Sequence, residues 1–351
     1  MKSYRIAVIP ADGIGKEVVP AALKVLNVAA ERYGFELRTE VFPWGCDYYL
    51  QHGEMMPADG LDVLKGFDAI FMGTVGFPSL VPDHISLHGL LLRIRRGFRQ
   101  YLNIRPHRRL KGIKGPLRSE EPFDILLIRE NSEGEYLGAG GRAHVGTDYE
   151  VAVETAIFTR RGVERVLRYG FEQARKRRKK LVSCTKSNAQ RNSMVFWDEV
   201  TAEVARDYPD VKVERWHIDA LAARFITHPH TLDVVVASNL FGDILADIGA
   251  AIQGGLGFAP SANVDPTGTF PSMFEAVHGS APDIAGKNIA NPIAQIWAGA
   301  MMLEYLGEKR AADAVVAAIE DVTSRGVVAT PDMGGQATTT DMAEAIAAAV
   351  R

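Results

Sequence analysis

Short apolar runs alternate with longer stretches of helical period along most of this 351-residue chain. Arg5–Ile9, Phe35–Phe42, Ala69–Gly73, Ile125–Arg129, Leu181–Cys184, Val211–His217 and Leu232–Ala237 read as strands. Helical period fills Lys16–Tyr33, Gly162–Lys176, Ser193–Tyr208, Ile244–Gln253, Ala290–Leu306, Arg310–Ser324 and Asp341–Val350. Such alternation predicts an α/β architecture. Glycine and proline gather at Gly112–Pro116 and Gly254–Asn263, the expected places for the chain to cross between two lobes. Gly138–Gly146, followed by Glu150–Glu154, breaks the rhythm and predicts a projecting arm.

Composition narrows the function classes. Hydrophobic content of 47% and charged content of 24% are those of a globular protein with a core of ordinary size. A formal charge of −3 gives no global attraction to nucleic acid or to an acidic membrane. Cys46 and Cys184 form no disulfide framework and match no zinc spacing, so the expected compartment is a reducing cytoplasm. No apolar run approaches the roughly 20 residues of a membrane span, and no signal peptide is expected ahead of Arg5–Ile9.

The stretch Asn239-Leu-Phe-Gly-Asp243-Ile-Leu-Ala-Asp247 follows the apolar run ending at Ala237. If the chain turns at Gly242 and enters a helix, Asp243 and Asp247 stand one turn apart on a single face. Like charges at that spacing repel, and a hard cation such as Mg²⁺ or Mn²⁺ takes such oxygen ligands. An N-cap aspartate followed by a solvated acid is the plainer alternative. Lys186 and Asn188 leave a strand, where α/β proteins place functional groups. Asp219, expected to end the strand near Trp216–Ile218, is a further candidate ligand or a helix N-cap. Arg95 and Arg105, with Arg129 at the end of a strand, could converge on a small polyanionic acid, although a basic helix such as Leu92–Arg99 is ordinarily a solvated face.

His278-Gly-Ser-Ala-Pro-Asp283-Ile-Ala-Gly286 is a small-residue loop suited to the approach of a phosphate, and Asp283 in it suits a ribose diol better than a 2′-phosphate. Gly13-Ile14-Gly15 lacks a third glycine, since Val18 stands there, so a tight turn explains it as well as a dinucleotide fold does. The run Arg175–Lys180 carries no interleaved aromatics and reads as a solvated helix end, His228-Pro-His230 is too short-ranged for a metal site, and Met301-Met302 reads as core.

Together these motifs resemble the β-decarboxylating dehydrogenases, the family of isocitrate and 3-isopropylmalate dehydrogenases, from the Gly13–Gly15 turn to Gly334. Asn103–Pro106, Asn239–Asp247 and Glu275–Pro292 carry the likeness. Gly76–Leu87, Phe270–Phe274 and Gln295–Trp297 resemble the branch acting on tartrate and D-malate, with His88 where that branch commonly has tryptophan.

The resemblance implies a two-lobed fold with an open mixed sheet, not a Rossmann fold. Its large cofactor-binding lobe would comprise 1–103 and 257–351, and its small lobe 104–256 with a dimer arm near 137–155. Arg95, Arg105 and Arg129 would hold substrate carboxylates, with His88 and Leu91 lining the substrate pocket. Asp243 and Asp247 would bind Mg²⁺ or Mn²⁺ with Asp219 of a second subunit; Lys186 would be the base and Tyr136 the acid. NAD would contact Ile14, Asn188, Glu275, His278, Gly279, Ser280, Ala281, Asp283 and Asn291, and K⁺ is a candidate activator. The expected activity is oxidation and β-decarboxylation of C4 2-hydroxy diacids by a homodimer with a shared site between its lobes, without nucleic-acid or membrane partners. 3-Isopropylmalate dehydrogenase is the alternative, since Leu90, Leu91 and Leu92 could line an apolar pocket. A regulatory subunit without turnover fits less well, because Tyr136, Lys186 and the three aspartates are all present.

Overall fold

The computed structural model describes residues 1–351. Twelve strands form: β1 (Lys2–Ala11), β2 (Phe35–Val41), β3 (Ala69–Thr74), β4 (Leu102–Arg108), β5 (Asp124–Glu130), β6 (Gly134–Ala143), β7 (Val151–Ile157), β8 (Lys180–Thr185), β9 (Lys212–His217), β10 (Val234–Ala237), β11 (Pro260–Val264) and β12 (Ser272–Ala276). The chain divides into two compact units, one of residues 1–100, 109–116 and 253–351 and one of residues 101–108 and 117–252.

In the first unit the strand order is β2-β1-β3-β12-β11, parallel except for the antiparallel β11–β12 pair. The central strands are buried throughout, as their continuous apolar runs require. The helix Gly15–Tyr33 packs against Ile293–Tyr305 and Thr339–Ala349. Its Val18, Val19, Val25 and Leu26 are wholly buried, each contributing about 1.5–3 kcal/mol of transfer free energy. Gly34, in the left-handed region at φ 78°, ends that helix and turns the chain into β2.

In the second unit the order is β4-β5-β10-β8-β9, with β4 antiparallel to β5 and the rest parallel. The helix Arg160–Lys176 packs on this sheet through Val163, Val166, Leu167 and Phe171, all fully buried. Strands β6 and β7 pair only with each other, as a hairpin exposing Val145, Tyr149, Val151 and Val153. This is the segment whose glycines interrupt the α/β rhythm.

The basic run Arg175–Lys180 closes its helix with Arg175, Lys176, Arg178 and Lys179 exposed, as expected, and several of its charges meet acids. Asp233 is wholly buried and takes Arg177 Nε at 2.8 Å and the Arg178 backbone N–H at 2.9 Å. Arg175 and Lys179 pair with Asp210 at 2.8 and 3.3 Å, and Lys180 with Glu214 at 3.1 Å. A buried carboxylate needs such partners, and they consume the run's charge locally. Of the two methionines, Met302 is fully buried. No helix is long and apolar enough to cross a membrane.

Candidate active site

Strands β5 and β10 run parallel with Arg129 opposite Ala237, and the Arg129 side chain reaches the start of the helix Asn239–Gln253 at Asn239. The helix begins at Asn239, not after a turn at Gly242. Gly242 lies inside it because a Cβ there would stand 2.7 Å from Cβ and Cγ of Arg129. Asp243 is accordingly a second-turn residue rather than an N-cap, and Asp247 follows one turn later on the same face.

Three side chains converge on Asp243. Arg129 Nη1 ion-pairs with its Oδ1, Arg105 Nη1 lies 3.4 Å from the same atom, and the Tyr136 hydroxyl donates to Oδ2 at 2.7 Å. Arg105 sits on β4 opposite Leu127, which places it beside Arg129 across the antiparallel pair. The Arg129 guanidinium also lies over the Tyr136 ring, 5.1 Å from its centroid. Arg105 and Arg129 side chains are only 6% and 3% exposed, whereas Asp243 is 34% exposed. Two buried guanidinium groups thus meet a carboxylate that opens to solvent, an arrangement that draws a further anion. Burial, then the hydrogen bond and charge of Asp243, push the Tyr136 phenol above its ordinary pKa. Burial, then the charge of Asp243, also raise Asp247, the strain that a bound cation would relieve.

Lys186 and Asp219 form a separate pair. Parallel β8 and β9 bring Thr185 opposite His217, so the residues just beyond both strands meet, with Lys186 Nζ 2.5 Å from Asp219 Oδ1. Asp219 does not end the strand; it lies in the first turn of the helix Ile218–Thr227, whose N-cap is His217. Lys186 holds the Asp219 carboxyl below its usual pKa. No three His, Cys, Asp or Glu side chains gather in the chain so as to hold a metal ion, so Asp219 is not brought to Asp243 and Asp247. Asn188 lines an open pocket with Asp198, Arg215 and His217.

The remaining candidates lie in the first unit. Ile14 donates its backbone N–H to Ser280 O at 2.8 Å, and Gly13, at φ 54°, has no room for a Cβ, which would come within 2.0 Å of that oxygen. Ile14, Val18 and Ala290 then pack against Ala281, Ile284 and Ala285. The glycine pair is a tight turn that seats the small-residue loop. Gly279 and Asp283 are exposed on that loop, and burial holds the His278 imidazole below its ordinary pKa, with Nδ1 3.1 Å from Gly279 O. Asn291 donates to Asp332 at 3.0 Å and accepts from the Ile293 N–H at 3.0 Å, at the start of the helix Ile293–Tyr305.

Glu275 is buried and committed to protein partners, Arg95 Nη2 and Asn263 Nδ2, both at 2.7 Å. Arg95 is correspondingly buried, 8% exposed, where a solvated helix face was the ordinary expectation. His88 is exposed on a π-helical turn, Leu87–Leu91, while Leu91 leans on the apolar cluster containing Leu90 and Ile94. Asn239 went without a role in the sequence. Its position four residues before Asp243 puts it on the same helix face, and that was the available signal.

Comparison with known proteins shows the family. The isocitrate/isopropylmalate dehydrogenase family matches residues 5–346. The D-malate dehydrogenase [decarboxylating] of Escherichia coli (strain K12) is 55% identical over 99% of this chain and 98% of its own length. The tartrate dehydrogenase/decarboxylase of Pseudomonas putida is 53% identical over 98% of this chain and 97% of its own. Among solved structures, the isocitrate dehydrogenase of Methylococcus capsulatus superposes with a TM-score of 0.89 at 35% identity, covering 99% of both chains. With family motifs on the strand ends and helix that position them, and relatives matched over their whole length, this chain belongs to the isocitrate/isopropylmalate dehydrogenase family.

Proposed function

We propose that the protein oxidises C4 2-hydroxy diacids of R configuration at C2, with NAD⁺ and a divalent cation, and decarboxylates the β-keto acid so formed. D-Malate would give pyruvate and CO₂, and tartrates would give oxaloglycolate, or glycerate where the decarboxylated keto acid takes the hydride back from NADH. The observation that carries the reading is the convergence of Arg105, Arg129 and Tyr136 on Asp243, beside Asp247. It would join anion-binding groups from β4 and β5, a proton donor from β6 and two oxygen ligands from one helix. The names of the two relatives above supply the substrate class.

The residues fit the expected groups. Asp243 and Asp247 offer hard oxygen donors whose mutual repulsion a Mg²⁺ or Mn²⁺ ion would cancel, with Asp219 of a second subunit as a third ligand. Such an ion would supply Lewis acidity at the 2-hydroxyl, and NAD⁺ would accept the hydride from C2. Ile14, His278, Gly279, Ser280, Ala281, Asp283 and Asn291 would hold the cofactor, with Asn188 and Glu275 as further candidates. K⁺ is a candidate activator.

Arg105 and Arg129, with Arg95, would fix the substrate carboxylates. Lys186 would take the hydroxyl proton as C2 becomes a ketone. When the bond to the β-carboxylate breaks and CO₂ leaves, Tyr136 would give its proton to the carbon left behind. A phenol titrates at about 10 in water, so that proton is in place at neutral pH, and burial holds it more firmly still. The protein would work as a homodimer, and buried, unbridged Cys46 and Cys184 suit the cytoplasm.

The test is kcat/KM for D-malate, L-tartrate and 3-isopropylmalate with one metal. Burying the three extra carbons of an isopropyl group would add about 2 kcal/mol, roughly 30-fold, in a site shaped for it. The expected result is a preference for D-malate or L-tartrate. A tenfold preference for isopropylmalate would overturn the substrate assignment.

A further inference from the structure

We infer that Asn239 is the positioning residue for Arg129, gripping its guanidinium with a neutral amide that orients it without adding a second carboxylate beside Asp243. The inference rests on the proposed role of Arg129 as a carboxylate ligand. Arg129 Nε and Nη2 both donate to Asn239 Oδ1, at 2.9 and 2.6 Å. Two donors on one edge converging on one acceptor fix the plane of the fork, which a single hydrogen bond would leave free to rotate. The grip is itself anchored, because Asn239 Nδ2 donates to Glu133 O at 3.0 Å and Asn239 is only 2% exposed.

Holding that edge determines what the rest of the guanidinium does. Nη1 is left toward Asp243, and the flat face lies over the Tyr136 ring. A carboxylate at position 239 would make the same two contacts more strongly. It would also neutralise the cation and repel an incoming dianion, so the amide supplies geometry without spending charge. Asn239 and Asp243 lie one turn apart on a single helix, which ties the orientation of Arg129 to the carboxylate it meets.

The experiment compares Asn239→Ala, Asn239→Asp and Arg129→Gln in the full-length protein, measuring KM for D-malate, KM for NAD⁺, kcat and Tm. Arg129→Gln should raise the D-malate KM at least tenfold. Asn239→Ala should raise it about tenfold, with the NAD⁺ KM within twofold of wild type. Asn239→Asp keeps the contacts to Arg129 and gives it a charged partner, which should outweigh the donor to Glu133 O that it loses, so its Tm should exceed that of Asn239→Ala while its D-malate KM is as high or higher. A purely structural residue would make KM follow Tm, so that order would overturn the inference. A D-malate KM within twofold of wild type in Asn239→Ala, while Arg129→Gln raises it, would also overturn it. If Arg129→Gln leaves KM unchanged, the substrate role of Arg129 fails and the inference falls with it.

Discussion

The Tyr136 hydroxyl donates a 2.7 Å hydrogen bond to the outer oxygen of Asp243, whose inner oxygen is held by Arg129 and Arg105. One carboxylate therefore connects the proposed acid to both guanidinium groups. Tyr136→Phe keeps the ring beneath Arg129 and removes only the hydroxyl, with its bond to Asp243. It should lower kcat on the order of 100-fold with little change in the diacid KM, read by steady-state kinetics. A kcat within threefold of wild type would remove Tyr136 from the acid role.

Lys186 pairs with Asp219 and not with Asp243, which is the arrangement expected if each pair completes the site of a second subunit. The Lys186→Ala and Asp243→Asn proteins should each be nearly inactive with folded spectra. Mixed and exchanged, they should regain activity in heterodimers, where one site recovers both groups. Verified subunit exchange without recovery would mean that the site is not shared.

Asp283 is exposed on the loop seated by Ile14, where a carboxylate favours a ribose diol and repels a 2′-phosphate. The wild type should prefer NAD⁺ over NADP⁺, and Asp283→Lys should narrow or reverse that preference. Ratios of kcat/KM for the two cofactors decide it, and a wild type preferring NADP⁺ would contradict the reading.

Glu214 on β9 gives a pH-dependent stability. Burial pushes its carboxyl up, but Lys212, Trp216 and Lys180 outweigh that and hold it at about 2, below its ordinary 4.5. A depressed folded-state pKa stabilises the native state above the unfolded value, and that stability is lost as pH falls from about 4.5 toward about 2. Glu214→Gln should cost on the order of 1 kcal/mol at pH 7, allowing for solvent screening. The difference in denaturant stability from wild type should shrink steadily below pH 4.5. A difference that stays constant from pH 7 to pH 3 would show that the charge contributes nothing.

Much of the fold was legible in the periodicity, because strands such as Ala69–Thr74 and Val234–Ala237 are apolar runs buried on both faces. The pattern missed β4, β11 and β12, and showed β6 and β7 only as an arm. Leu102–Arg108 carries two arginines, a histidine and Pro106, and Pro260–Val264 is buried through small and polar residues, so neither has the hydrophobic signature of its position. At the site, the common face of Asp243 and Asp247 follows from helical spacing alone. The grip of Asn239 does not, since it depends on the register that sets Arg129 beside Ala237. Nor does the burial of Arg95, which depends on Glu275, 180 positions away. Partners fixed by strand pairing leave no local trace in a sequence.

Placing Asn239, Gly242, Asp243 and Asp247 on one helix has a consequence for how the protein can diversify. These residues move as a single rod, and Gly242 has no room to grow against Arg129. Changes on this helix should disturb carboxylate binding and cation binding together, making it a poor place to search for new substrates. The π-helical turn Leu87–Leu91 belongs to the other unit of the chain and exposes His88. Substitutions confined to that turn leave Asn239, Gly242, Asp243 and Asp247 unchanged, so the two elements can be varied independently.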